Sequence, residues 1–101
     1  MALKVRLHAR AQADLRAIRD YLLEHAGPRP ANRVRLHLRE KMALLSESPN
    51  IGAQTSIPQI RILPPTRYPY RIYYTVVADA VIVLHVRHTA RQAPERGDLD
   101  D

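Results

Sequence analysis

Three arginines recur within the apolar segments of the C-terminal half of the chain. Arg61 lies in QIRIL, Arg71 in YRIYYTVV and Arg87 in AVIVLHVRH. If these segments are neighbouring strands, the alternation of side chains places the three guanidiniums on one face of a sheet. Like charges about 5 Å apart are costly without an anion between them, and guanidiniums match phosphate and carboxylate groups. The pattern therefore predicts a surface that binds a negatively charged partner.

Further polar side chains accompany these arginines. Alternation places Tyr73 on the face of Arg71 and His85 on the face of Arg87, and VLHVRHTARQ (83–92) continues past the last strand. The residues expected to bind a partner are Arg61, Arg71, Tyr73, His85, Arg87 and Arg91.

A metal site or a cofactor is not expected. His85 and His88 are spaced as a possible pair of metal ligands, but two histidines in a strand without a third ligand are more often packing or surface residues. The chain has no Cys, so thiolate metal sites and disulfides are excluded.

The charge of the chain also indicates a polyanionic partner. The formal net charge is +6, and ERGDLDD (95–101) carries four acids and one Arg, so residues 1–94 carry +9. Only Lys4 and Lys41 among the sixteen basic residues are Lys, and guanidiniums suit phosphate and carboxylate recognition. The partner could be a nucleic acid or an acidic protein segment, and charge alone does not distinguish them.

Length and composition limit the class of protein. A chain of 101 residues, 46% of them hydrophobic, is expected to form one domain over residues 1–94, followed by an acidic, disordered tail at 95–101. The charged N-terminus MALKVRLHAR is unlike a secretory signal, and the longest apolar run, AVIVL, is too short to span a bilayer. A cytoplasmic protein without membrane contact is expected.

Hydrophobic periodicity predicts the elements that position these side chains. LKVRLH (3–8) alternates as a half-buried strand does. Apolar residues then recur at helical spacing from Ala11 to near His25 and from about Pro30 to about Glu47, with a short Pro/Gly connection. After a loop, three strands are expected at QIRIL (59–63), YRIYYTVV (70–77) and AVIVLHVRH (80–88).

The order of these elements predicts an α+β fold. We expect an antiparallel sheet with an N-terminal strand, a two-helix hairpin packed on one face, and three consecutive antiparallel strands. The other face of the sheet is expected to be open, and the three arginines to lie on it. The residues expected to face the helices are Ile60, Ile62, Ile72, Tyr74, Val76, Ile82, Leu84 and Val86.

Five segments carry a resemblance to a known family. They are A-x-x-DL-x-x-I-x-x-Y (Ala11 to Tyr21), LLSESPNIG (44–52), IRIL (60–63), YRIYYTV (70–76) and VLHVRHTAR (83–91). In this order, over almost the whole chain, they resemble the toxins of bacterial type II toxin–antitoxin pairs of the RelE/ParE superfamily. The resemblance implies the same fold and an antitoxin partner whose extended C-terminal arm wraps the toxin.

The resemblance implies two different activities. RelE-like members cut messenger RNA on the ribosome, where cations hold the phosphates and a base helps the ribose 2′-OH to attack. In this case the chain would be an enzyme, with His88 as the base and the arginines as a phosphate clamp. ParE-like members instead inhibit DNA gyrase and have no established hydrolytic chemistry. The catalytic residues of the RelE-like alternative would be His88, Arg61, Arg71, Arg87 and Arg91.

The ParE-like branch is favoured. No Lys follows Lys41, whereas a lysine cluster is typical of RelE-like sites, and HTAR (88–91) resembles the H-x-x-R ending of ParE-like strands. The expected function is that of a toxin that inhibits DNA gyrase and is neutralised by a cognate antitoxin. The alternatives are a ribosome-dependent, metal-independent endoribonuclease and a non-toxic nucleic-acid-binding module.

Overall fold

Seven helices and strands form the part of the chain that the computed structural model describes, residues 2–90. The predicted order of one strand, two helices and three strands is confirmed, and one further strand of two residues precedes the last three. That strand is too short to show alternation in the sequence. Arg91 and the tail expected at 95–101 lie outside the described residues. The elements are β1 (Lys4–Leu7), α1 (Ala9–His25), α2 (Pro28–Glu47), β2 (Ala53–Gln54), β3 (Arg61–Leu63), β4 (Tyr70–Val77) and β5 (Ala80–His88).

The five strands form one sheet in the order β1-β5-β4-β3-β2. β1 runs parallel to β5, and all the other neighbouring strands are antiparallel. The predicted α+β fold is confirmed, with the refinement that the sheet is mixed. The parallel pair arises because the first and last strands are joined through the rest of the chain, and parallel neighbours need such a long connection.

The two helices form the predicted hairpin. The Nδ1 atom of His8 caps α1 by accepting a hydrogen bond from the Arg10 N–H at 3.1 Å. Gly27, with a φ of 96°, turns the chain between the helices, and Pro28 begins α2, where a missing N–H costs nothing. Neither helix in residues 2–90 has the length and apolar character needed to cross a membrane. The buried residues of the two helices are Ala11, Ala31, Val34, Leu38 and Leu45, and all of them except Ala31 belong to the apolar cluster shared with the sheet.

The sheet carries an apolar cluster on each face. Tyr73 and Leu84 are buried on the face away from the helices, where they pack with Ile57, Ile60, Ile62 and Ile82. We call this side the open face. The sheet residues of the larger cluster, beneath the helices, are Leu63, Tyr70, Ile72, Tyr74, Val81, Val83 and Val86.

The predicted core positions are confirmed at Ile72, Tyr74 and Val86 but wrong in β3 and the first half of β5. A β-bulge explains the error in β5, because Tyr73 pairs with His85 whereas Tyr74 pairs with Val83. Leu84 is thus an extra residue, and the alternation of side chains is reversed before it. In β3 the run IRIL is apolar on both sides of the strand, so its pattern does not select a face. The residues found on the open face instead of under the helices are Ile60, Ile62, Ile82 and Leu84.

Candidate partner-binding surfaces

Arg71 and Arg87 lie directly opposite each other on β4 and β5. Both neighbours of Arg71 in β4, Tyr70 and Ile72, face the helices, so its own side chain points to the open face. The Arg71 guanidinium also donates a hydrogen bond to the carbonyl oxygen of Thr89 at 3.4 Å, just past the end of β5. Two of the three arginines therefore share one face, as the sequence predicts.

Arg61 is the exception, because it lies on the helix side of the sheet. It pairs with Tyr74, whose ring is buried beneath the helices. Its guanidinium donates hydrogen bonds to the carbonyl oxygens of Gly52 at 2.7 Å and of Asn50 at 3.3 Å. Arg61 thus anchors the segment that follows α2, and the prediction that it joins an anion-binding surface on the open face is wrong.

The same segment is held from the other side by the hydroxyl group of Tyr74. This hydroxyl donates to the carbonyl oxygen of Pro49 at 2.8 Å and accepts from the N–H of Gly52 at 2.9 Å. A Cβ atom at position 52 would lie 2.6 Å from the Tyr74 hydroxyl oxygen, so only glycine fits here. The roles of Tyr74 and Arg61 are therefore structural.

Tyr73 lies on the predicted face of the sheet but is buried there. Its side chain does lie on the open face, but it is only 5% exposed because Ile57, Ile60 and Ile62 pack over the region. A partner would not reach it without moving these residues. Tyr73 therefore lies on the predicted face but is too buried to contact a partner as expected.

His85 is buried rather than exposed for partner binding, at 4% exposure. The bulge turns its ring toward α1, where Nδ1 contacts the Asp14 carboxylate. The same Asp14 oxygen accepts the N–H of Val86 at 2.9 Å. Burial lowers the pKa of His85 below its ordinary value, and Arg10 and Arg87 lower it further although Asp14 opposes them. The contact between the His85 ring and the Asp14 carboxylate ties β5 to α1.

His88 lies on the helix side of the sheet. Its ring meets the Tyr70 ring edge to face at 5.5 Å, and its Nδ1 atom accepts the N–H of Ala90 at 3.0 Å. Arg71 and Arg87 point to the opposite side. The described members of the proposed catalytic set are therefore divided between the two faces of the sheet and do not converge on one phosphate.

A largely apolar groove of about 580 Å³ lies between the helical hairpin and the ends of β4 and β5. Asp14, Arg33 and His88 are its charged or titratable lining residues, and Tyr21 at its margin is 59% exposed. The groove was not predictable from the sequence pattern, although Tyr21 flanks the apolar stripe of α1 and is a large, exposed side chain. Its apolar lining includes Ala17, Ile18, Leu22, Val34, Tyr70 and Val86.

Comparison of the sequence with known proteins finds matches over most of the chain. The family model that describes the ParE toxin of the type II toxin–antitoxin system parDE matches residues 5–93. Toxin RelE2 of Caulobacter vibrioides is 37% identical over 84 residues, which cover 81% of this chain and 90% of that protein. The match to the family model includes every helix and strand of the fold except the first residue of β1.

Solved structures have the same fold. The chromosomal ParDE toxin–antitoxin system from P. aeruginosa superposes with a TM-score of 0.77 at 25% identity, over 86% of this chain and 96% of that chain. The isolated E. coli RelE toxin gives a TM-score of 0.66 at 23% identity, over 90% of this chain and 88% of that one. Since the family model covers nearly the whole chain and the fold agrees, the protein belongs to the ParE toxin family, within the RelE/ParE superfamily of type II toxin–antitoxin toxins.

Proposed function

We propose that this toxin inhibits DNA gyrase, that it does not cleave RNA, and that a cognate antitoxin neutralises it by occupying the groove. The separation of His88 from Arg71 and Arg87 by the sheet is the main observation in support. Cleavage through a ribose 2′-OH requires a base at that hydroxyl and cations on the phosphate next to it. Here the histidine and the two arginines cannot reach one phosphate from opposite sides of a packed sheet.

Arg61, the remaining described member of the proposed catalytic set, is occupied by structural contacts, and so is the neighbouring histidine His85. Arg61 is bonded to the carbonyl oxygens of Gly52 and Asn50, and His85 is buried against Asp14. The sequence has no Lys after Lys41 that could replace them as a phosphate-binding group. The RelE-like alternative has one observation in its favour, the name of the relative Toxin RelE2 at 37% identity.

Target inhibition is tested with purified components. We expect the toxin, separated from its antitoxin, to block ATP-dependent supercoiling by gyrase and to increase the amount of cleaved DNA that gyrase holds. Ribosome-bound messenger RNA should stay intact at the same toxin concentration. Codon-spaced cuts in the message together with unimpaired supercoiling would instead establish the RelE-like function.

The groove is the proposed site for the antitoxin arm. The solved relatives include the E. coli RelBE toxin–antitoxin complex and E. coli RelE bound to an antitoxin RelB peptide, so a short antitoxin segment can bind a toxin of this fold. The apolar lining suits aliphatic side chains of such an arm, and Arg33 and His88 can pair with its carboxylates. The groove is concave and its lining is largely apolar.

Two substitutions in α1 test this assignment. Tyr21→Ala removes an exposed side chain that lines the groove, whereas Leu23→Ala removes an exposed apolar side chain that does not. We expect Tyr21→Ala to weaken antitoxin binding by about tenfold or more and Leu23→Ala to change it little, because only the first removes surface that the arm would bury. Equal effects of the two variants, measured by calorimetry, would exclude the groove as the binding site.

A further inference from the structure

Asp14 supplies a carboxylate to the lining of the groove, and two groups of β5 hold that carboxylate in place. Its Oδ2 atom accepts the N–H of Val86 at 2.9 Å and also contacts Nδ1 of His85. No hydrogen bond within residues 2–90 involves the other oxygen, Oδ1. The Asp14 side chain is 20% exposed, so part of this fixed carboxylate is accessible to a partner in the groove.

Asp14 lies at one end of the groove wall that α1 forms. Ala17, Ile18 and Tyr21 follow it by three, four and seven residues, so the four side chains share one side of the helix. Seven residues of α-helix correspond to about 10 Å along the axis. The wall therefore extends over about two turns, from Asp14 to the exposed ring of Tyr21.

Arg33 lies at the opposite end of the groove from Asp14. Tyr21 precedes Gly27 by six residues and Arg33 follows it by six. Because α1 and α2 form a hairpin around Gly27, Arg33 lies level with Tyr21, and both side chains line the groove. A carboxylate and a guanidinium are therefore separated by about 10 Å along the groove.

The strand that forms the floor of the groove has the same polarity. The carbonyl oxygen of Val83 accepts the N–H of His8 at 2.9 Å, and the N–H of Val86 donates to Asp14. β5 therefore runs in the same direction as α1. His88, two residues beyond Val86, lies farther from Asp14 and toward the end of the groove that holds Arg33.

A partner that fills the groove must supply a donor to Asp14. The lining around this carboxylate is largely apolar, and a bound partner removes the water that reaches it. An ionised carboxylate that loses its water is strongly destabilised unless a charged donor replaces that water. The amino and guanidino groups of Lys and Arg make the strongest hydrogen bonds of this kind. A purely aliphatic segment would therefore bind less tightly than one with a basic residue at this point.

We propose that Asp14 is a specificity-determining residue of the groove, which pairs with a lysine or arginine side chain of the antitoxin arm. Arg33 pairs with a carboxylate at the other end, so the two charges also fix the direction in which the arm lies. The partner is thus an apolar segment with a basic and an acidic residue about 10 Å apart, which about three residues of extended chain span. The inference rests on the proposed function, since it takes the groove as the antitoxin site.

Calorimetry of the complete toxin with its cognate antitoxin tests the pairing. Asp14→Asn removes the charge but keeps an oxygen that can accept the Val86 N–H, and we expect antitoxin binding to weaken by about tenfold or more. Asp20→Asn is the matched control, because it removes the same charge from an exposed position of α1 outside the groove. It should change binding by less than about twofold.

A second measurement separates recognition of a basic residue from a purely structural role of Asp14. Each Lys and Arg of the antitoxin arm is replaced by Gln in turn, and binding to the unmodified toxin and to Asp14→Asn is compared. We expect one replacement to weaken binding to the unmodified toxin by about tenfold and to have little further effect on Asp14→Asn. A misfolded groove would not depend on one residue of the arm in this way, and thermal unfolding checks that each toxin variant is folded.

The inference is overturned if Asp14→Asn binds the antitoxin as tightly as the unmodified toxin does, or if no basic residue of the arm is coupled to position 14. If Tyr21→Ala still weakens binding in that case, the groove remains the antitoxin site and only the recognition of a basic residue fails. If Tyr21→Ala is also without effect, the proposed antitoxin site fails together with the inference.

Discussion

Three arginines that look equivalent in the sequence have two different roles. Arg71 and Arg87 are opposed on the open face, whereas Arg61 fastens the segment after α2 through the carbonyl oxygens of Gly52 and Asn50. The sequence could not separate them, because IRIL offers apolar residues to both faces and the bonds of Arg61 are made to backbone atoms. A side chain that binds backbone carbonyls leaves no signature in the residue types around it.

Replacement of Arg61 should therefore reduce stability. Arg61→Gln removes two charge-assisted hydrogen bonds, and we expect the free energy of unfolding in urea to fall by about 1–2 kcal/mol. Arg39→Gln, at an exposed position of α2, should change it by less than about 0.5 kcal/mol. If the two variants were equally stable, Arg61 would not be an anchor of this segment.

At the scale of elements, the bulge in β5 decides where the functional side chains lie. The helices and the long strands begin and end within about two residues of their predicted bounds, because periodicity and the Gly27–Pro28 break are strong signals. In β3 and β5, by contrast, the sequence did not predict which side chains face the helices and which lie on the open face. One extra residue, Leu84, reverses the alternation, sends His85 beneath α1 and leaves Arg87 on the open face.

The contact between β5 and α1 should make the protein sensitive to mild acid. Burial holds the pKa of His85 below its ordinary value of about 6.5. In mild acid the unfolded chain therefore binds a proton at His85 that the folded chain does not bind. The free energy of unfolding should therefore fall as the pH decreases below about 6.5, through the lowered pKa of His85. The groups that face this ring are Asp14, Arg10 and Arg87.

Denaturation curves at several pH values check this expectation. His85→Asn retains a donor toward Asp14 but cannot titrate, so the dependence on pH should flatten between neutral and mildly acidic conditions. His25→Asn, at an exposed position of α1, is the control, and this variant should keep the pH dependence of the unmodified protein. An unchanged pH dependence in His85→Asn would show that another group is responsible.

The turn between β4 and β5 contains backbone strain that should lower the free energy of unfolding. The two residues Ala78 and Asp79 connect the strands as expected, and Ala78 adopts a φ of 53°, which a side chain with Cβ disfavours. Ala78→Gly should raise the free energy of unfolding by about 0.5 kcal/mol, since relief of this strain outweighs the added flexibility of the unfolded chain. Ala53→Gly in extended β2 should have the opposite sign, and the same sign for both would contradict the assignment of strain to Ala78.

At the scale of the whole molecule, the sheet separates two surfaces of different chemistry. The helix side offers an apolar groove, and the open face carries the Arg71 and Arg87 side chains. The sequence predicted a basic face but not the groove, because a groove arises from the packing of helices and strands distant in the chain. The position of His88 on the groove side, away from the arginines, is the feature that argues against RNA cleavage.

The most direct measurement follows the incorporation of labelled thymidine and labelled leucine in growing bacteria after the toxin is induced without its antitoxin. DNA synthesis should stop first, while messenger RNA stays intact and protein synthesis continues, and expression of the antitoxin should restore growth. Arrest of protein synthesis first, with messenger RNA cut at codon boundaries, would contradict the account.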